Sequence, residues 1–202
     1  MMVFTHKIVC RKSPKLYASY HNQTPQKTCF NLTEKAAFNL PNNSQLLSQI
    51  AARLFPEFSE EEQLSIIDGC CEAEHQALEH QKAPVYPGLE ETLSVLSKKY
   101  PLFIVSNCQA GYIEVFLKAT GFGHYFSGHL CPGDTGMEKG DNIKKIIHDY
   151  KLTSPVYVGD TAGDYNACRQ AGIPFVFASY GFGHVENPDY TISELKDLIS
   201  LF

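Results

Sequence analysis

The 202-residue chain has no aspartate before Asp68, no Cys-x-x-Cys pair, no basic stripe and no long apolar run. Each absence removes a class of function. Seven cysteines (Cys10, Cys29, Cys70, Cys71, Cys108, Cys131, Cys168) fall at irregular spacings, which predicts reduced, intracellular thiols rather than a disulfide frame or a zinc site. Eight histidines lack ligand-type spacing, so each is expected to be a packing or surface residue. A formal net charge of -5 and a pI near 5.9 argue against a nucleic-acid partner. Lys7, Arg11, Lys12 and Lys15 do cluster, but so short a basic run reads as a solvated face. Nothing resembles a secretory leader or a membrane span, so a cytoplasmic protein without a membrane partner is expected. No internal repeat or low-complexity segment is visible.

What is present is a composition able to bury a core: 44% hydrophobic, 19% charged and 12% aromatic. The length fits one core domain with an insertion, or two small domains. Residues 31–84 read as helices. Leu46, Leu47, Ile50 and Leu54 recur at helical spacing. Ser59 and Glu62 form a capping-box pattern, with Leu64, Ile67, Cys71 and Leu78 continuing one face. Residues 16–30 are polar and carry no clear pattern. Pro84 and Pro87-Gly88 punctuate the exit from this unit.

After Gly88 helix and strand alternate. Leu89, Leu93 and Leu96 mark a helix, and Leu102 to Val105 a strand. Ile113, Phe116 and Leu117 mark the next helix, and Phe126 to Leu130 a short strand. Ile143, Ile146, Ile147 and Tyr150 form a helical face; Val156 to Val158 and Phe175 to Phe177 read as buried strands. Ile192 to Leu201 is expected to close the chain as a helix. Alternating units of this kind predict an α/β fold with a mostly parallel sheet covered on both faces. Residues 2–10 offer one more strand.

The stretch richest in chemistry is Gly159-Asp160-Thr161-Ala162-Gly163-Asp164, directly after Pro155-Val156-Tyr157-Val158. Two carboxylates at the end of a buried strand suit a hard cation such as Mg²⁺. The same hexapeptide equally fits a strand-to-helix turn in which an Asp caps the helix. Upstream, a strand ends in Ser106-Asn107, and Lys139 precedes a helical pattern. Taken singly, Ser106 reads as a hydroxyl capping a turn and Lys139 as a solvated loop residue. Gly121-Phe122-Gly123 and Gly181-Phe182-Gly183-His184 lack the Gly-Lys-Ser/Thr ending of a P-loop. The second follows a strand and is placed to help close a pocket.

The order strand-Ser106, Lys139, strand-Asp160-x-x-x-Asp164 resembles the haloacid dehalogenase-like (HAD) superfamily, most of whose members are phosphatases. The pattern runs from about Pro87 to the C-terminus. The resemblance implies a Rossmann-like parallel core from residues 1–15 and 85–202, with residues 16–84 as an inserted helical cap. It implies that the strand at residues 2–10 lies centrally beside the Asp160 strand. It also implies that Ser106, Asn107 and Lys139 bind the phosphoryl group, Ser106 and Lys139 serving catalysis. Asp160 and Asp164 would hold Mg²⁺, one directly and the other directly or through water.

One family motif is missing. Members carry Asp-x-Asp on the first strand, the first Asp as nucleophile and metal ligand, the second as general acid and base. Here the start reads Val3-Phe4-Thr5-His6-Lys7, which puts Thr5 and Lys7 at those two positions. A threonine hydroxyl is a poor nucleophile without an adjacent base. Lys7 would bring a cation to the metal pocket, where it would pair with Asp160 or Asp164. Asp68-Gly69 sits in a helical pattern with no second Asp two residues before it, and is a decoy.

The resemblance implies a phosphomonoester hydrolase of a small phosphorylated metabolite, akin to phosphoglycolate phosphatases and impaired as written. The alternative is a non-catalytic relative that binds phosphate or regulates. Dehalogenation needs the same Asp, and the helical insertion argues against a receiver domain. Substrate identity and oligomeric state are not legible in the sequence.

Overall fold

The computed structural model describes residues 2–4, 47–80 and 85–202. Among them, six strands form one parallel sheet: β1 (Met2–Phe4), β2 (Leu102–Val105), β3 (Phe126–Leu130), β4 (Val156–Gly159), β5 (Phe175–Ala178) and β6 (Tyr190–Ile192). Their spatial order is β3-β2-β1-β4-β5-β6. The helices are α1 (Leu47–Leu54), α2 (Glu60–His80), α3 (Leu89–Leu96), α4 (Tyr112–Thr120), α5 (Pro132–Thr135), α6 (Lys139–Asp149), α7 (Ala162–Ala171) and α8 (Asp197–Leu201). The expected central strand is therefore present at Met2–Phe4, with β2 on one side and β4 on the other.

Side-chain alternation along the strands builds two cores. Leu102, Val158 and Val176 face a layer made by Leu89, Leu93 and Leu96 of α3, Phe116 of α4 and Leu198 of α8. Phe103, Val105, Tyr157 and Phe175 face the opposite layer, made by Ile143 and Ile146 of α6 and Ala167 and Cys168 of α7. Strands covered on both faces need apolar side chains in both directions, which is why β2 and β5 read as unbroken apolar runs. Burial of a side chain such as Phe103 contributes about 1.5–3 kcal/mol. Gly88 opens α3 at φ +77°, in the left-handed region, with the Lys196 side chain against it: a Cβ there would lie 2.8 Å from Lys196 Cε.

Helices α1 and α2 share a small core of their own, Ala51, Phe55 and Ile67. The Ser59–Glu62 capping box is formed: Ser59 N–H donates to Glu62 Oε2 at 2.9 Å, and Glu62 N–H to Ser59 Oγ at 3.4 Å. Leu64, expected on the buried face, is exposed. Its neighbour Gln63 faces the α1–α2 turn instead, donating to the carbonyls of Phe55 and Phe58. Helix α2 lies along α4, with His75 and Tyr112 ring centroids 5.9 Å apart.

Two further expectations are corrected. Ile192 does not start the last helix; it ends β6, and α8 begins at Asp197. Ser193 N–H, Ser193 Oγ–H and Glu194 N–H all donate to Asp197 Oδ2, so a side-chain-closed turn separates strand from helix. Lys139 is not a loop residue ahead of a helix but the first residue of α6. Asp68 lies exposed in the middle of α2.

Candidate active site

Strand order reverses between β1 and β4, since β1 connects outward to β2 and β3 while β4 leads on to β5 and β6. In an open parallel sheet the crevice at the carboxyl ends of such a pair is where ligands bind. Phe4 stands level with Ile104 and Val158, each two residues before a candidate side chain: Ser106 on one flank, Asp160 on the other. Thr5 and Lys7 lie outside the described residues.

Asp160 is completely buried, and Asp164, Ser106 and Lys139 nearly so. Lys139 Nζ lies 2.5 Å from Asp164 Oδ1, with 7% and 2% of the two side chains exposed. Lys139 stands at the N-terminus of α6, the end where a cation is disfavoured by the helix dipole. The Asp164 carboxylate offsets that cost. The other oxygen of Asp164 accepts from Asp160 N–H (3.2 Å), Thr161 N–H (3.2 Å) and Thr161 Oγ–H (2.8 Å). Asp164 N–H donates back to Thr161 Oγ at 3.2 Å, completing a capping box at the start of α7. The capping reading of the hexapeptide holds: Asp164 caps the helix with one oxygen and holds Lys139 with the other.

Asp160 is gripped by the loop after β5. Phe182 N–H donates to Asp160 Oδ2 at 2.9 Å, and Gly183 N–H to the Asp160 carbonyl at 3.1 Å. A Cβ on Gly181 would sit 2.6 Å from Asp160 Oδ2, so only glycine permits this approach. The Gly181–Gly183 segment therefore packs directly on Asp160. Tyr180, one residue earlier, has its phenol pushed up by burial, with Tyr86 and Asp160 adding to the effect.

A cavity of about 260 Å³ opens beside Lys139, lined among others by Gln49, Asn107, Glu138, Gly163, Asn166 and Gln170. It joins three of the sequence-derived features: the residue after Ser106, the Lys139 helix start and the Asp160–Asp164 turn. Gln49 comes from α1, so the helical pair forms part of the wall. Asn166 and Gln170 escape a reading of the sequence because single amides on an amphipathic helix carry no spacing signal. Thr161 was detectable, since Thr161-x-x-Asp164 is itself a capping pattern. Near Ser106, the Cys108 thiol is pushed well up, chiefly by the neighbouring Cys131 thiol and then by burial, so it stays neutral.

The crevice fits a hard cation in donor chemistry, because its acidic groups are carboxylate oxygens. The fit rests on Asp160. Asp164 has one oxygen on Lys139 and the other on three donors of its own turn, and so orients Asp160 through the Asp160 N–H.

The family model for haloacid dehalogenase-like hydrolases matches residues 13–178. The chain belongs to this family. The matched span starts after Thr5 and Lys7 and includes Ser106, Lys139, Asp160 and Asp164. The phosphoglycolate phosphatase of Pseudomonas savastanoi pv. phaseolicola is 29% identical over 134 residues, covering 61% of this chain and 49% of that protein. The phosphoglycolate phosphatase of Vibrio parahaemolyticus is 29% identical over 133 residues, 60% of this chain and 58% of that protein. The chain thus spans about half the length of the curated relatives it matches. A solved structure described as a predicted phosphoglycolate phosphatase from Haemophilus somnus 129PT superposes with a TM-score of 0.78 at 21% identity, covering 100% of this chain and 96% of that one. A 2-haloacid dehalogenase from Pseudomonas syringae pv. Tomato DC3000 superposes at 0.65 with 17% identity, covering 99% and 96%. These likenesses establish the haloacid dehalogenase-like fold. Both chemistries share it, so the fold does not choose between them. No helix among the described residues is long and apolar enough to cross a membrane.

Proposed function

We propose that this chain carries the phosphoryl pocket of a Mg²⁺-dependent phosphomonoester hydrolase for a small phosphorylated metabolite, with turnover impaired in the sequence as it stands. The observation that carries the reading is the buried Lys139–Asp164 pair next to Asp160 at the sheet's switch point. Phosphoryl transfer depends mostly on positioning and charge neutralisation. Lys139 supplies a fixed cation, held from below by Asp164. Ser106 Oγ–H and the Asn107 backbone N–H are donors at the end of β2, suited to a phosphoryl oxygen. Asp160 is the residue to hold Mg²⁺, which when bound neutralises charge on the phosphoryl group. Asp164 is a positioning residue in this scheme. The phosphoglycolate phosphatases among the relatives favour a phosphate ester over a haloacid.

Residues 16–84 are proposed as a cap over this pocket. Support comes from the separate core of α1 and α2 and from Gln49 in the cavity wall. Closure of such a unit excludes water from the reaction.

Thr5 and Lys7 at the positions of the family's carboxylates favour a pocket that binds better than it turns over. Binding and turnover are therefore tested apart. Titration of the full chain with inorganic phosphate plus Mg²⁺, followed by calorimetry, should show saturable binding. Lys139→Met and Ser106→Ala should each weaken phosphate by roughly tenfold or more, as expected for a lost charge-assisted or buried hydrogen bond. Phosphate binding that neither substitution alters would end the assignment of this pocket.

A further inference from the structure

Glu114 in the first turn of α4, His129 on β3 and Asp134 on α5 come from three separate elements. One ligand atom from each lies within 4.8 Å of the other two. His129 is level with Ile104 in the β2–β3 pairing, and Ile104 packs with Ile113 of α4 and Cys131, next to α5. The imidazole therefore shares the sheet face that α4 covers. His129 Nδ1 is shut off from solvent and has no hydrogen-bond partner. A buried ring nitrogen without a hydrogen-bond partner calls for an explanation, and a bound ion would supply one. The Asp134 carboxylate is oriented from behind by Cys131, whose Sγ–H donates to Asp134 Oδ2 at 3.0 Å. Such outer hydrogen bonds are what fix metal-binding carboxylates in place. Sequence spacing gives no sign of this grouping, because the three residues meet only through the fold.

We propose that Glu114, His129 and Asp134 form a second divalent-cation site, separate from the Asp160 crevice and taking a first-row transition cation such as Zn²⁺. One imidazole nitrogen and two carboxylate oxygens suit such an ion better than Mg²⁺, which prefers oxygen alone. Bonds of about 2.0–2.2 Å bring neighbouring ligand atoms to roughly 3–3.5 Å apart. Glu114 is exposed, and the rotatable bonds of its side chain let its carboxylate close to that spacing against the Asp134 carboxylate that Cys131 orients. Water completes the coordination. The site also has a structural consequence. Gly133 N–H donates to the Cys108 carbonyl at 3.3 Å, tying the start of α5 to the loop after β2. A cation joining α4, β3 and α5 would pin the 106–111 loop between them. The inference does not depend on the proposed hydrolase activity.

The test is calorimetric titration of the full chain with Zn²⁺ in excess Mg²⁺, paired with thermal unfolding. Wild type should take up one equivalent and melt at a higher temperature when loaded. Glu114→Gln and His129→Gln should each weaken Zn²⁺ at least tenfold and lose the thermal shift. Asp160→Asn should leave Zn²⁺ uptake as in wild type. Glu114 is exposed, so its variant keeps the test decisive even if the His129 variant misfolds. No stoichiometric uptake by wild type would overturn the proposal. So would uptake that Glu114→Gln leaves intact, or uptake that Asp160→Asn abolishes.

Discussion

Removing Lys139 should cost more stability than its place at a pocket edge suggests. Lys139→Met deletes the cation 2.5 Å from Asp164 Oδ1 and leaves that oxygen buried. Breaking one partner of a buried pair costs about 3–5 kcal/mol, because the remaining charge loses its compensation. Asp164 Oδ2 keeps its three donors from Asp160 and Thr161, so the loss should fall near the low end, about 3 kcal/mol. Asp164→Asn should cost more, about 4–5 kcal/mol. It strands Lys139 and turns an amide N–H toward a group that itself donates. The double variant should cost less than the sum, with a coupling of about 2 kcal/mol. Urea unfolding reads all three. At a slope of about 2 kcal/mol/M, Lys139→Met should lower the midpoint by about 1.5 M. A cost under about 1 kcal/mol for Lys139→Met, or additivity within about 0.5 kcal/mol, would refute the argument that this pair holds the crevice together.

Two other predictions follow from single contacts. Gly181→Ala places a Cβ 2.6 Å from Asp160 Oδ2, so the loop must lift; about 1–3 kcal/mol of stability and the slow hydrogen exchange of the Phe182 amide should be lost together. Unchanged Phe182 exchange would mean the loop is not held by Asp160. Burial pushes the Cys168 thiol up to about 12, and its Sγ–H donates to the Ile173 carbonyl at 2.9 Å. A folded value above the unfolded one, about 8.5, means that this group's contribution is intact below pH ~8.5 and is lost as pH climbs toward the folded value. Iodoacetamide at pH 8 should therefore leave Cys168 unmodified in the native protein and label it in urea, read by peptide mass; native labelling would refute its burial.

Much of the fold was legible because buried parallel strands leave an unmistakable trace. Leu102–Val105 and Phe175–Ala178 bury every residue, and the first was visible as an apolar run in full, the second as far as Phe177. The end of β6 was not. Tyr190 and Thr191 are exposed, so an edge strand with a single buried residue looks like the approach to a helix. Leu64 misled in the same way: its spacing was helical, but Gln63 took the inward-facing role through its amide. At the site, Asp160, Asp164, Lys139 and Ser106 stood out by their order along the chain, which resembles the haloacid dehalogenase-like pattern; singly, each also fitted a capping or loop role. The Lys139–Asp164 pairing spans 25 positions and could not be read from spacing. Nor could the meeting of Glu114, His129 and Asp134, which come from three separate elements.

If a phosphoryl pocket persists here with Thr5 and Lys7 at the positions of the family's carboxylates, restoring those carboxylates should restore turnover. The most direct measurement is Mg²⁺-dependent phosphate release from p-nitrophenyl phosphate by wild type and by the Thr5→Asp/Lys7→Asp variant. Wild type should stay at background, and the variant should rise above it by at least ~10²-fold, the lower range for restoring acid–base help alone. Robust wild-type turnover that Asp160→Ala abolishes would overturn this placement of Thr5 and Lys7, as would a folded double variant that remains at background.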